Sequence, residues 1–233
     1  MTIRLIVFDM AGTTVKDNDN VHTALQKAFD IEGIPVSRNE VNDVMGYPKP
    51  VAIRDLLKLR GYPNPEEPFV QQIFKNFQEE MVNFYAHDPQ VREIEGVSKL
   101  FALLRKHQIK VGIDTGFDRR IADTILKRLG WQEKGLIDVS ITSDEVPRGR
   151  PYPDMIFRAM ELTDVSFSEQ VAKVGDTASD LQQGTAARCK YVVGVTTGAF
   201  TREALAREPH THIIDQLSDL LPILKIQTAK SDY

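Results

Sequence analysis

The first residue in this sequence that could do chemistry is an acid placed directly after an apolar run. Asp9 follows Leu5-Ile6-Val7-Phe8, and Gly12 then permits a tight turn. Later stretches carry matching types: Thr115-Gly116, Asp144 to Arg150, and Gly175-Asp176-Thr177 with Asp180. Two carboxylates such as Asp9 and Asp176, held close, repel unless a cation sits between them, and hard oxygen donors suit Mg2+. Thr115 and the Gly116 amide offer neutral donors, and Arg150 offers charge-assisted hydrogen bonds. The set suits a tetrahedral dianion such as a phosphoryl group, whose charge the cation would also neutralise. Taken singly, each piece also fits a turn, a surface cation or a helix start.

These residues meet only if the chain folds to bring them to one edge. A short apolar run of the Leu5–Phe8 kind is a strand buried on both faces, as in parallel sheets. From Gly96 onward helix and strand patterns alternate, with strands expected at 109–113, 137–141, 171–174, 191–195 and 212–214. This is the pattern of a doubly wound, Rossmann-like α/β sheet, in which the residues just after each strand share one crevice. Asp9, Thr115-Gly116, Asp144 to Arg150 and Asp176 to Asp180 occupy those positions, so Asp9 and Asp176 should be neighbours.

Between the first strand and the rest lies a helical stretch. Val21, Ala24, Leu25, Ala28 and Phe29 recur at helical spacing. Ser37 and Glu40 form a capping box for a second short helix, which should stop near Gly46 because Pro48 and Pro50 follow. A third helix carries Ile53, Leu56, Leu57 and Leu59. The longest carries Phe69, Val70, Ile73, Phe74, Phe77, Met81, Val82 and Tyr85, read as a packing face. The expected division is an α/β core at 1–14 and 89–233, with an α-helical insertion at 15–88.

Composition excludes some classes of function. Among 233 residues, 42% are hydrophobic and 27% charged, and the net charge is −4 with no long basic run, so no nucleic-acid surface is expected. No apolar run approaches the ~20 residues a membrane span requires. No signal-peptide pattern opens the sequence, and the lone Cys189 fits a reducing compartment as packing filler, so the expected location is the cytoplasm. The histidines at 22, 87, 107, 210 and 212 match no motif and are expected at the surface or at helix ends.

The order Asp9-x-Ala11-Gly12-Thr13, Thr115-Gly116, Arg150, Gly175-Asp176-Thr177-x-x-Asp180 resembles the haloacid dehalogenase superfamily of aspartyl-phosphate hydrolases. The helical insertion stands where that superfamily has its C1 caps. The chain looks most like the phosphonoacetaldehyde hydrolase (phosphonatase) and phosphonatase-like family. The marks are Asp-x-Ala-Gly-Thr at 9–13, the stretch from Asp144 through Arg150-Pro151-Tyr152-Pro153, and Met45-Gly46-x-x-Lys49 in the insertion. The resemblance implies Asp9 as nucleophile and Lys49 as a Schiff-base amine. It implies Mg2+ at Asp9, the Ala11 carbonyl, Asp176 and Asp180, the last orienting the ion's water shell. Ala11, Gly12, Thr13, Thr115, Gly116 and Arg150 would surround the substrate; Thr13 could hydrogen-bond Asp9 or be a plain turn residue. Members commonly pair through their caps, which implies a homodimer.

Most phosphatases of the superfamily have a second aspartate two residues after the nucleophile, to protonate a departing alkoxide. Ala11 can neither give nor take a proton. An iminium formed by Lys49 would remove that need, because it accepts the electrons of a breaking carbon–phosphorus bond. The expected substrate is therefore a small 2-oxoalkyl phosphonate. The alternatives are a phosphate monoester on the same scaffold and a non-catalytic phosphate-binding module. The sequence departs from the family at Ala52, where a histidine usually stands, at Tyr47-Pro48, and in its shorter cap.

Overall fold

The computed structural model describes residues 2–226. Its first strand, β1 (Leu5–Phe8), is followed by four helices: α1 (Asn20–Ile31), α2 (Arg38–Asp43), α3 (Lys49–Leu59) and α4 (Glu67–His87). Then come α5 (Val97–Lys106), β2 (Lys110–Thr115), α6 (Arg119–Leu129), β3 (Val139–Thr142), α7 (Asp154–Leu162), β4 (Val171–Gly175), α8 (Ala178–Ala186), β5 (Tyr191–Val195), α9 (Arg202–Leu205) and β6 (His212–Ile214). The strands form one sheet in the order β3-β2-β1-β4-β5-β6, every neighbouring pair parallel. This is the doubly wound architecture expected from the alternation, with β1 central and fully buried.

Alternation along β1 explains how the sheet is covered. Phe8 points to one face and stacks on Phe101 of α5, ring centroids 5.2 Å apart. Leu5 and Val7 point to the other face, where Met155, Ile156 and Ala159 of α7 cover them. No described helix is long and apolar enough to cross a membrane.

The insertion between β1 and α5 follows its sequence pattern with shifted limits. Ser37 and Glu40 make both bonds of the capping box at α2. That helix ends at Asp43, before Gly46, because Val44 already closes the turn. α4 buries Val70, Ile73, Phe77, Met81 and Tyr85, a stripe that packs against α1 and against α6 of the sheet domain. Phe77 and Tyr85 reach Phe117, just beyond β2, at ring distances of 6.4 and 6.1 Å. The helices and this face of the sheet thus share one continuous apolar cluster.

Candidate active site

Register decides what stands beside Asp9. Phe8 pairs with Ile113 of β2 and with Val174 of β4, so Asp9, one residue on, lies level with Asp114 and Gly175. The Asp9 amide bonds the Val174 carbonyl at 2.9 Å, which ties the acid's backbone to β4. After Asp9 the chain must turn sharply. Gly12 adopts φ 87°, and a Cβ there would lie 2.4 Å from an Asp176 oxygen. The Thr14 hydroxyl donates to the Asp9 carbonyl at 2.8 Å and closes the turn.

Three buried carboxylates converge beyond these strands. One oxygen each of Asp9, Asp176 and Asp180 lies within 4.8 Å of the others. Asp9 is 5% exposed. Burial lifts its pKa to about 6, against the pull of the Arg150 guanidinium. Burial and the two neighbouring acids raise Asp176 well above the usual carboxylate range. Like charges crowded out of water are what a hard divalent cation relieves, so these residues could hold one.

Asp176 is oriented for such a role. It accepts from the Thr13 hydroxyl at 2.9 Å and from the Ala199 amide at 2.7 Å. Thr13 therefore serves Asp176, neither bonding Asp9 nor acting as a plain turn residue. Asp180 sits in the first turn of α8, where one oxygen accepts from the Thr177 amide and hydroxyl at 3.2 and 2.5 Å.

Arg150 comes from the loop after β3 and is 3% exposed. Its Nη1 lies 2.7 Å from Asp9 and 3.0 Å from Asp180, while Nη2 donates to the Asp114 carbonyl at 2.8 Å and to the Asp114 carboxylate. It is thus a buried hub among three acids as well as a wall of the compartment. Asp144, expected in the same crevice, is spent on the Arg119 amide and the Thr142 hydroxyl and lines the neighbouring cleft.

Lys49 is the first residue of α3, with Pro50 next in the opening turn, where the missing N–H of a proline breaks no helical bond. It is 3% exposed. Its ammonium stands 5.7 Å from the Phe77 ring centre and 5.6 Å from that of Phe117. Burial lowers its pKa to about 8; Asp9 opposes that shift and Arg150 adds to it. Asp9, Ala11, Lys49, Thr115, Gly116 and Arg150 line one compartment.

The segment before Lys49 lies on the sheet domain at places where side chains are missing or small. A Cβ on Gly116 would be 2.7 Å from the Gly46 carbonyl, and one on Gly149 would be 2.4 Å from Cγ of Pro48. Gly46, with φ 81°, faces the hydroxyls of Thr177 and Ser179. Helix α3 is thereby set down directly over the strand ends.

Two features escaped the sequence reading. Asp114 and Lys173 lie fully buried within β2 and β4, where a charge inside an otherwise apolar strand was the available signal. His22, expected near the surface, is buried on α1 and faces Asn42 at 3.2 Å; its place on the inner stripe beside Val21 explains this. Ala52, where the family usually has histidine, is buried against the apolar core.

Comparison with known proteins agrees with this geometry. Residues 6–194 match the family described as haloacid dehalogenase-like hydrolase. The phosphonoacetaldehyde hydrolase of Bacillus cereus (strain G9842) is 33% identical over 210 residues, spanning 85% of this chain and 78% of that protein. That of Bacillus anthracis is 31% identical over 210 residues with the same coverage. Among solved structures, a phosphonoacetaldehyde hydrolase-like protein from Oleispira antarctica superposes with a TM-score of 0.85 at 23% identity, covering 97% of this chain and 92% of that one. A predicted phosphoglycolate phosphatase from Haemophilus somnus superposes at 0.78 and 20% identity, covering 95% and 97%, and shares the fold. The chain belongs to the haloacid dehalogenase-like hydrolases, and within them to the phosphonoacetaldehyde hydrolases and their phosphonatase-like relatives.

Proposed function

We propose that this hydrolase cleaves the carbon–phosphorus bond of a small 2-oxoalkyl phosphonate, with helices α1–α4 (within 15–88) acting as a cap over the core. The observation that carries this reading is Lys49, a buried amine with a lowered pKa in the compartment of Asp9, combined with Ala11 where a proton donor would stand. An alkoxide leaving group would need that donor; a carbon leaving group attached to an iminium does not.

The neutral Lys49 amine adds to the substrate carbonyl and expels water, giving a protonated imine. Asp9 attacks phosphorus, and the carbon–phosphorus electron pair moves into the imine to form an enamine, leaving the phosphoryl group on Asp9 as an acyl phosphate. The enamine takes a proton on carbon, and water releases the aldehyde or ketone from Lys49. A second water releases phosphate from Asp9. Arg150, bonded to Asp9, aligns the nucleophile, and Thr115 and Gly116 supply donors for phosphoryl oxygens. Asp9, Asp176 and Asp180 would hold a Mg2+ ion, with the Ala11 carbonyl beside them, and the ion would supply charge neutralisation at the phosphoryl group.

Borohydride reduction in the presence of phosphonoacetaldehyde, followed by peptide mass spectrometry, tests this. A reduced two-carbon adduct on Lys49 is expected. Because only the neutral amine attacks, adduct formation should rise with pH and level off above about 8. Below that it should fall about tenfold per pH unit. Absence of the adduct, together with phosphate-monoester turnover that survives Lys49→Ala, would leave the phosphatase reading in its place.

The landing of Pro48 on Gly149 gives a further expectation. Gly149→Ala places a methyl group 2.4 Å from Pro48 Cγ, so Lys49 should sit out of line with Asp9. A loss of about ten- to a hundredfold in kcat/KM is expected, with thermal stability little changed. An unaltered kcat/KM would show that this contact does not place Lys49.

A further inference from the structure

Beneath Asp9 the buried charges close into a ring. Arg150 Nη2 bonds the Asp114 carboxylate, and Lys173 bonds the same Asp114 oxygen. Lys173 Nζ lies 3.0 Å from Asp180, whose same oxygen lies 3.0 Å from Arg150 Nη1. Two cations thus alternate with two anions, and all four side chains are at most 1% exposed. The ring is neutral as a whole, and Asp9 touches it at one point, through Arg150 Nη1 at 2.7 Å.

Strand register builds this ring. Lys173 pairs with Val7, and Asp114 stands level with Asp9, so Lys173 and Asp114 project from the same face of the sheet as Val7 and Asp9. Lys173 can therefore reach across β1 below Asp9 to meet Asp114 on the opposite neighbouring strand. Burial alone would raise the Asp114 carboxyl; Arg150 and Lys173 outweigh it and hold it below its ordinary range.

We infer that Asp114 and Lys173 are positioning residues that pin the Arg150 guanidinium so that Nη1 is presented to Asp9. The argument is competition. Arg150 faces three carboxylates, and a free guanidinium among them has no single preferred orientation. Asp114 occupies Nη2 with two acceptors, its carbonyl and its carboxylate, which fixes the plane of the fork. Lys173 shares Asp114 and Asp180, which weakens the pull of Asp180 on Nη1 and favours the shorter contact of Nη1 with Asp9. Neither residue touches the compartment in which substrate would sit. The inference rests on the proposed attack by Asp9, but its structural half does not.

Asp114→Asn keeps the shape and the acceptor while removing the charge, and Lys173→Met keeps the reach of the chain. Two measurements test them. The first is 15N-edited NMR of the arginine guanidinium groups, with Arg150 assigned by its loss in Arg150→Ala. Resolved, slowly exchanging Nη signals are expected in the wild type, and averaged, faster-exchanging ones in both variants. The second is phosphate release from phosphonoacetaldehyde. Asp114→Asn should lower kcat about thirtyfold with KM changed less than about threefold, and should cost less than about twofold when added to Arg150→Ala. Unchanged Nη signals in both variants, or losses that multiply in the double variant, would overturn the inference. If the wild type releases no phosphate from the phosphonate, the functional reading fails, while the NMR result still decides whether the ring pins Arg150.

Discussion

Asp9→Asn is expected to abolish phosphate release from every substrate, by at least about four orders of magnitude, and to make the metal-free protein more stable. An amide of the same shape cannot attack phosphorus, so the first effect is chemical. The second follows from the environment of the acid. Burial lifts Asp9 from 3.8 to about 6, so the folded state binds its proton more tightly than the unfolded chain does. Between those values stability falls as pH rises. Above about 6 the folded protein holds an ionised carboxylate at a cost of about 3 kcal/mol. Asparagine removes that cost, and for a chain of this size the gain corresponds to a midpoint higher by roughly 6–12 °C. Thermal unfolding at neutral pH with a chelator present checks the sign. A variant that melts lower, or that still forms phosphate, is incompatible with a strained buried nucleophile at this position.

Lys49→Met carries the second large effect. It should reduce hydrolysis of an oxo-phosphonate by about a thousandfold or more, because among the described residues no other amine lines the compartment. It should also stabilise the protein near neutral pH. Burial lowers the Lys49 pKa from 10.5 to about 8, so between these values the unfolded chain binds more protons than the folded one, and stability rises with pH. Below about 8 the folded state carries a buried ammonium at a cost of about 3 kcal/mol, part of which methionine relieves while keeping the contacts with Phe77 and Phe117. Denaturant unfolding of both proteins at pH 7 and pH 10 is the measurement. Their difference should shrink as pH rises, since deprotonation relieves the wild type alone. A difference that does not change with pH would mean that the Lys49 amine is not held charged and buried.

Both predictions describe a site whose stability is lowered by the groups proposed to give it reactivity. Asp9 and Lys49 are each buried with their ordinary charge opposed by the surroundings, and each shift moves the group's pKa toward neutral pH. The charge ring beneath Asp9 is different in kind. Its members balance one another, so its proposed effect is geometric.

How much of this was legible in the sequence can be judged residue by residue. The parallel sheet was legible because apolar runs separated by helical patterns leave few topologies, and all strand ends of such a sheet face one edge. That alone brings Asp9, Thr115, Arg150 and Asp176 to one edge. The strands at 191–195 and 212–214 stand as expected, while β2 and β3 run one or two residues later than the apolar residues alone suggested. Lys49 was legible only through resemblance to a family, since a lysine between two prolines reads locally as a solvated loop residue.

What composition and spacing determined by themselves was the order of elements and the chemistry available at each strand end. Both are local properties, carried by a few consecutive side chains and the period at which they repeat. Tertiary structure decided which charges face one another. Thr13 bonds Asp176, 163 positions away, and Lys173 passes under β1 to Asp114, 59 positions away, because sheet register, and nothing within either local stretch, brings them to hydrogen-bonding distance. Bringing Lys49 into the compartment of Asp9 is of the same kind, since it depends on Gly116 and Gly149 leaving room for a segment from a distant part of the chain.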